Sequence, residues 1–275
     1  MNSLTDTGRA PRRRALFGYA CILLAANAIP TFVGEAVQTH GWLVASLNLF
    51  DISAIVWIAL AAMLALCWQG EGDEAATASD WAAMVAAALV ALFPAPPISG
   101  AALSAMGIWG WLTFPKHSPE RRAAAIALSL SAFFFWGRLF LALGSGPLLS
   151  ADAWFVSQVS GMSAQGNTVS FADGKPFLIA PGCSSLHGIS LALILWTTVV
   201  AWFDYRVTAR LRWTLVLAVV AAVLVNAARL TMIAWYPRDF DYWHVGSGAS
   251  IFGWLALAAV MGVVYQGISG ATSDA

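Results

Sequence analysis

Eight apolar windows, each long enough or nearly long enough to cross a bilayer, constrain this chain more than any other feature. They fall at 15–33, 50–68, 81–98, 101–114, 123–143, 184–203, 213–236 and 251–268. A spanning helix needs roughly 20 predominantly apolar residues. Between the windows there is too little polar chain to surround a soluble core. Only 10% of the 275 residues are charged and 60% are hydrophobic, whereas a soluble domain carries about 25% charge. The expected fold is therefore an all-α polytopic integral membrane protein of about eight transmembrane helices. The windows at 81–98 and 101–114 are separated by Pro94, Pro96 and Pro97, and we read them as two spans.

Orientation follows from the positions of Lys and Arg, which collect on the cytoplasmic side. Arg9 and Arg12 to Arg14 precede the first window, Lys116, Arg121 and Arg122 lie between the fourth and fifth, and Arg206, Arg210 and Arg212 lie between the sixth and seventh. With eight spans all three clusters share one side, so both termini are expected in the cytoplasm. The first helix is expected to stay in place, because no small-residue cleavage site follows it. The reading is one transmembrane domain over 1–275, with a basic cytoplasmic N-terminus (1–14), an extracytoplasmic loop (144–182) and a group of site-bearing helices (184–268). Within that loop, two β-prone runs in 167–180 flank Asp173-Gly174, a short-range hairpin signal, and Ala153–Val159 suits an interfacial helix.

A net charge of zero gives no sign of nucleic-acid binding. Cys21, Cys67 and Cys183 are too far apart for a disulfide framework or a metal-ligand spacing. Ionisable groups in a membrane are costly, and each is a functional candidate by default. Three converge on the outer side. Cys183 lies at the mouth of the sixth window in Pro181-Gly-Cys-Ser-Ser-Leu-His-Gly188; at a helix N-terminus its thiolate is favoured by the dipole and free amides. Arg229 sits roughly 10 Å inside the outer end of the seventh window, too deep for simple snorkelling. Asn226, three residues earlier, shares its face. His244 opens the last window before Gly246 and Gly248, as a general base or an ordinary interfacial histidine. His187 competes for the same role, being one turn from Cys183 on one helix face. Cys183, His187 and His244 have no metal-site spacing, and no metal or cofactor is expected.

These strings resemble the exosortase/archaeosortase family. Cys183 stands in Cys-Ser-Ser-Leu, Arg229 in Asn-x-x-Arg, and His244 is followed closely by Gly, in the order and spacing of that family and after a similar extracytoplasmic segment. The resemblance spans roughly 120–268. It implies a membrane cysteine protease or transpeptidase, with Cys183 as nucleophile, His244 as acid/base and Arg229 as electrostatic stabiliser. It also implies a partner: the C-terminal signal of an exported protein, made of a recognition motif (Pro-Glu-Pro in Gram-negative bacteria), a transmembrane helix and a basic tail. The implied location is the bacterial inner membrane with the site facing the periplasm, in a pathway tied to exopolysaccharide production. Family members often carry Cys-Ser-Gly followed by an arginine, and Ser185 and His187 occupy those positions here. Two other readings stay open on sequence. A non-enzymatic transporter or scaffold of polysaccharide export would use Arg229 and Asn226 but not the thiol. A membrane acyltransferase would need a histidine and not Cys183.

Overall fold

A computed structural model describes residues 12–69 and 74–269. Arg9 and the acidic Glu71 and Asp73 lie outside the described residues. Among the described residues eleven α-helices dominate: α1 Arg13–Ala28, α2 Pro30–Leu47, α3 Ala54–Gln69, α4 Ala78–Ala91, α5 Pro96–Thr113, α6 Pro119–Ser131, α7 Gly137–Ser160, α8 Leu186–Trp202, α9 Ala209–Trp235, α10 Phe240–His244 and α11 Ser247–Ser269. The described residues are all-α apart from a small sheet between α7 and α8.

Four helical stretches among the described residues, and not eight, are long and apolar enough to cross a membrane. They are Arg13–Leu47, Pro119–Ser160, Ala209–Trp235 and Ser247–Ser269. The other four windows do form helices, but local chemistry shortens or dilutes them. Helix α4, of 14 residues, is opened at Ala78 by a reciprocal capping box of Thr77 and Asp80, and it ends at Ala91, before the prolines that interrupt the 81–98 window. At 1.5 Å per residue such a helix is only about 21 Å long. Helix α5 has 18 residues, but Pro, Gly and Ser dilute its apolar side chains. Helices α3 and α8 have 16 and 17 residues, the latter because the chain around Cys183 is not helical. These lengths and compositions, with the four longer stretches, describe a membrane-embedded protein with several apolar helices.

The chain divides into two compact units, Met1–Phe135 with Thr197–Tyr205, and Trp136–Trp196 with Arg206–Ala275. In the first unit α5 packs against α6 and α1 through a row of small residues. A Cβ on Gly107 would stand 2.8 Å from the Leu128 backbone, and one on Gly110 would stand 2.7 Å from the Phe17 ring and 2.8 Å from Ala124 Cβ. Small residues let helices approach where apolar burial alone gives no preference over lipid. One end of this unit is tied by Arg13, whose Nε donates to the Asp80 carboxylate at 2.9 Å while its guanidinium lies 4.6 Å from the Phe114 ring centroid.

In the second unit α7 continues past Gly144 and Pro147 to Ser160. The non-helical segment therefore begins at Gly161 rather than at 144, and 144–160 is helix. Gly144 takes φ −138° and ψ 31°, a kink that accommodates the nearby proline. Gly161 closes the helix in the left-handed conformation at φ 73°, which favours glycine. Three antiparallel strands follow in the order β1 Ala164–Gln165, β2 Thr168–Ser170 and β3 Pro176–Leu178. Thr168 pairs with Leu178, Val169 with Phe177 and Ser170 with Pro176. Asp173 and Gly174 lie between β2 and β3, with Gly174 at φ 84°. Alternation puts Val169 and Phe177 on the buried face. The sheet is docked on the end of α9 by the Ala172 N–H, which donates to the Ala234 carbonyl at 2.9 Å.

The contact at Gly107 sets an expectation. Gly107→Val must displace backbone, and overpacking of this kind costs about 1–3 kcal/mol. The thermal midpoint of the detergent-solubilised protein should fall, whereas Gly262→Ala, which meets nothing within 4 Å, should leave it unchanged.

Candidate active site

The site lies within the second unit, where the sheet, the turn before α8, the C-terminal half of α9 and the short α10 meet. Pro181–Cys183 form a single 3-10 turn, with the Cys183 N–H donating to the Ala180 carbonyl at 2.9 Å. Helix α8 starts only at Leu186. Cys183 therefore does not sit in the first turn of a helix, contrary to the sequence reading, and it does not share a helix face with His187. Pro181 accounts for this locally: its fixed φ and missing N–H suit the start of a short turn.

Cys183 is 3% exposed, packed among Leu149, Ala153, Ile179, Ala227 and Leu230. Its Sγ lies 3.2 Å from His244 Nε2, although the two residues are 61 positions apart. The Asn226 side-chain amide donates to the Cys183 carbonyl at 2.9 Å, fixing the turn against α9. Arg229, one turn further along α9, lies within electrostatic range of Cys183, His187 and His244. Its Nε is buried and has no hydrogen-bond partner in the protein. A donor left unpaired in such a place costs about 1–3 kcal/mol.

His244 is held as the last residue of α10 by packing. Its ring stacks on Phe240, with centroids 4.7 Å apart. Phe240 packs edge-on against Phe171 and Phe177, which stack on each other at 5.3 Å. The sheet thus reaches the imidazole through an aromatic relay. On the other side, a Cβ on Gly248 would stand 2.6 Å from the Trp243 ring, so the glycine lets α11 close onto α10.

Burial pushes the Cys183 thiol above its ordinary range; Arg229 and a backbone hydrogen bond from Ala180 oppose the rise, and Asp152 adds to it. The thiol is thus protonated near neutral pH rather than a preformed thiolate. Burial, and then Arg229, hold His244 below its ordinary value, against Asp241. The neutral imidazole is the form able to accept the Cys183 proton. A thiol, a neutral base and a guanidinium arranged in this way suit acyl transfer through a thioester, the base taking the proton as sulfur attacks.

Of the residues singled out in the sequence, Cys183, Asn226 and His244 come together, with Arg229 in range. His187 occupies the first turn of α8 and is exposed. One residue escaped the sequence reading. Asp152 on α7 accepts hydrogen bonds from Ser184 Oγ at 2.9 Å, the Ser185 N–H at 3.2 Å and Ser185 Oγ at 2.6 Å. The signal was there, a single acid in an apolar helix, but 144–160 read as an extramembrane segment in which an acid is simply solvated.

Apolar spanning-length helices and a buried cysteine beside a histidine describe a membrane-embedded protein with a cysteine-protease-like pair. The chain matches the family described as Transmembrane exosortase (Exosortase_EpsH) over residues 48–262. It belongs to the exosortase family, and membership supports a role in processing sorting signals. No curated protein and no solved structure matches the chain.

Arg229 lowers both titrating groups, so its removal has a defined sign. Arg229→Gln should move the pH midpoint of Cys183 alkylation by iodoacetamide upward. It should also move the acid limb of any His244-dependent activity upward, toward the ordinary histidine value of about 6.5. Peptide mass spectrometry across a pH series reads the first, and a pH–rate profile reads the second.

Proposed function

We propose that this chain is an intramembrane cysteine protease or transpeptidase that cleaves the C-terminal sorting signals of exported proteins on the extracytoplasmic side of the bacterial inner membrane. The observation that carries the reading is the 3.2 Å approach of Cys183 Sγ to His244 Nε2, in a chain of the exosortase family. On this reading both termini are cytoplasmic and the site faces the periplasm, an orientation in which the shorter apolar helices cross the bilayer along with the four long stretches. The substrate is a signal of Pro-Glu-Pro type followed by a transmembrane helix and a basic tail, and the helix approaches from the bilayer.

In the reaction, Cys183 Sγ attacks the carbonyl carbon of the scissile peptide as its proton passes to His244 Nε2. The carbonyl oxygen gains negative charge, which the Arg229 guanidinium stabilises. Its Nε, buried and unpaired in the free protein, is a donor kept for an incoming oxygen. Preorganised donors of this kind supply much of the stabilisation in acyl transfer. Collapse of the tetrahedral species breaks the C–N bond, and His244 returns its proton to the departing amine of the helical segment. The thioester on Cys183 is then resolved by water or by an amine or hydroxyl acceptor, with His244 as base. Asn226 orients the nucleophile by holding the Cys183 carbonyl.

Co-expression of a tagged reporter bearing a Pro-Glu-Pro signal, an apolar helix and a basic tail tests this reading by gel mobility. Cys183→Ala and His244→Ala should each reduce processing by about 10³-fold or more, the scale seen when members of a catalytic unit are removed. Arg229→Ala should cost about 10²–10³-fold, as for loss of an oxyanion donor. His187→Ala should remain within a few-fold of wild type. Unchanged processing by Cys183→Ala would sink the thiol mechanism.

A further inference from the structure

Asp152 is an ionisable residue in a sparsely charged protein, and all its hydrogen bonds go to the two residues that follow Cys183. Its Oδ2 accepts from Ser184 Oγ and from the Ser185 N–H, and its Oδ1 accepts from Ser185 Oγ at 2.6 Å. Hydrogen bonds to an ionised carboxylate are shorter and stronger than neutral ones. Among the described residues no lysine or arginine forms an ion pair with it, and its partners are these three donors. Ser185 in turn begins α8, its carbonyl accepting from the Ile189 N–H at 2.9 Å, while Ser184 Oγ accepts from the Leu186 N–H at 3.3 Å. Ser184 and Ser185 are buried. The exit from the cysteine turn is thereby fixed to α7 across 32 residues of sequence, as the Cys183 carbonyl is fixed to α9 by Asn226.

Resting on the reading of Cys183 as nucleophile, we propose that Asp152 is a positioning residue: by clamping Ser184 and Ser185 it holds Cys183 Sγ in line with His244 Nε2. A turn has two ends, and a nucleophile in it keeps its aim only if both are held. Asn226 grips the carbonyl of Cys183 itself, and Asp152 grips the next two residues through side chains and backbone together. The arrangement also accounts for Cys-Ser-Ser in this chain, since both hydroxyls are used as donors to one carboxylate. The placement carries an electrostatic cost, because the carboxylate opposes thiolate formation at Cys183. A residue present only to cap α8 would be indifferent to the alignment of the thiol. A positioning residue trades some thiol acidity for geometry.

The two readings separate in one experiment on the full-length protein in detergent. The variants are Asp152→Asn, Asp152→Ala, the pair Ser184→Ala/Ser185→Ala, and the triple combination with Asp152→Asn. The readouts are the pH dependence of iodoacetamide alkylation at Cys183, by peptide mass spectrometry, and kcat and KM for cleavage of the Pro-Glu-Pro reporter. Asp152→Asn should shift the alkylation midpoint to lower pH and yet reduce kcat by about tenfold or more, since misplacement of a reacting group by 1 Å costs about 10²-fold. KM should stay within about twofold, a pattern that marks lost transition-state alignment. The serine pair should reproduce the kcat loss, and the triple variant should add nothing to it, because all three groups act as one unit. Wild-type kcat with an unmoved alkylation midpoint in Asp152→Asn overturns the proposal, as does a loss confined to KM. If Asp152→Ala does not fold, Asp152→Asn and the serine pair still decide. If the wild type leaves the reporter uncut, the substrate assignment fails, and the serine pair, which keeps the carboxylate, decides Asp152: a changed plateau rate of Cys183 alkylation in Ser184→Ala/Ser185→Ala, matched by Asp152→Asn, supports the clamp, and a wild-type rate in the serine pair overturns it.

Discussion

The hydrogen bond from the Asn226 amide to the Cys183 carbonyl, 2.9 Å long, joins the turn before α8 to α9, the longest helix among the described residues. Around it the medium is apolar: Ala227, Leu230, Ile233 and Ala234 of α9 are buried against Val169, Phe177 and Ile179 of the strand segment. In such surroundings a polar group without a partner is expensive, so each hydrogen bond that does form selects one conformation strongly. The turn at Pro181–Cys183 has no regular ladder to define it. Its shape comes from Asn226 on one side and Asp152 on the other, and the positions of α8 and the thiol follow from that shape.

The electrostatics of the site follow from the same burial. Taking Cys183 out of solvent disfavours the thiolate, and taking His244 part of the way out disfavours the imidazolium. The neutral pair is therefore the resting form, and charge appears only as a proton crosses from sulfur to nitrogen. Arg229 is the counterweight, since it favours negative charge near sulfur and disfavours positive charge on the imidazole.

The sheet supports the His244 ring. Phe171 and Phe177 form the platform for Phe240, and Phe240 for the His244 ring. Rings offset or edge-on at these distances contribute about 0.5–1.5 kcal/mol per pair beyond area burial, which suffices to favour one orientation of an imidazole. The strand segment therefore has a mechanical role in a site whose Cys183, Arg229 and His244 all come from elsewhere in the chain.

Much of this was legible in the residues themselves. Scarcity of charge fixed lipid as the solvent, and the rarity of polar groups near the outer ends of the apolar windows singled out Cys183, Asn226, Arg229 and His244 before any geometry was known. The number of spanning helices was not legible in that way, because a hydropathy window averages across the prolines that end α4 at Ala91 and across the turn at Pro181–Cys183 that shortens α8. Nor could it see that α7 runs through Gly144 and Pro147, which read as a break. Asp152 was hidden for the same reason, since its meaning depends on the serines it meets 32 and 33 residues later. The sequence by itself determined which chemistry was affordable in an apolar medium. Only tertiary structure decided which groups touch, because alignment of a thiol with an imidazole 61 residues away depends on how α7, α9 and α10 pack around one turn, and packing is not a local property of the chain.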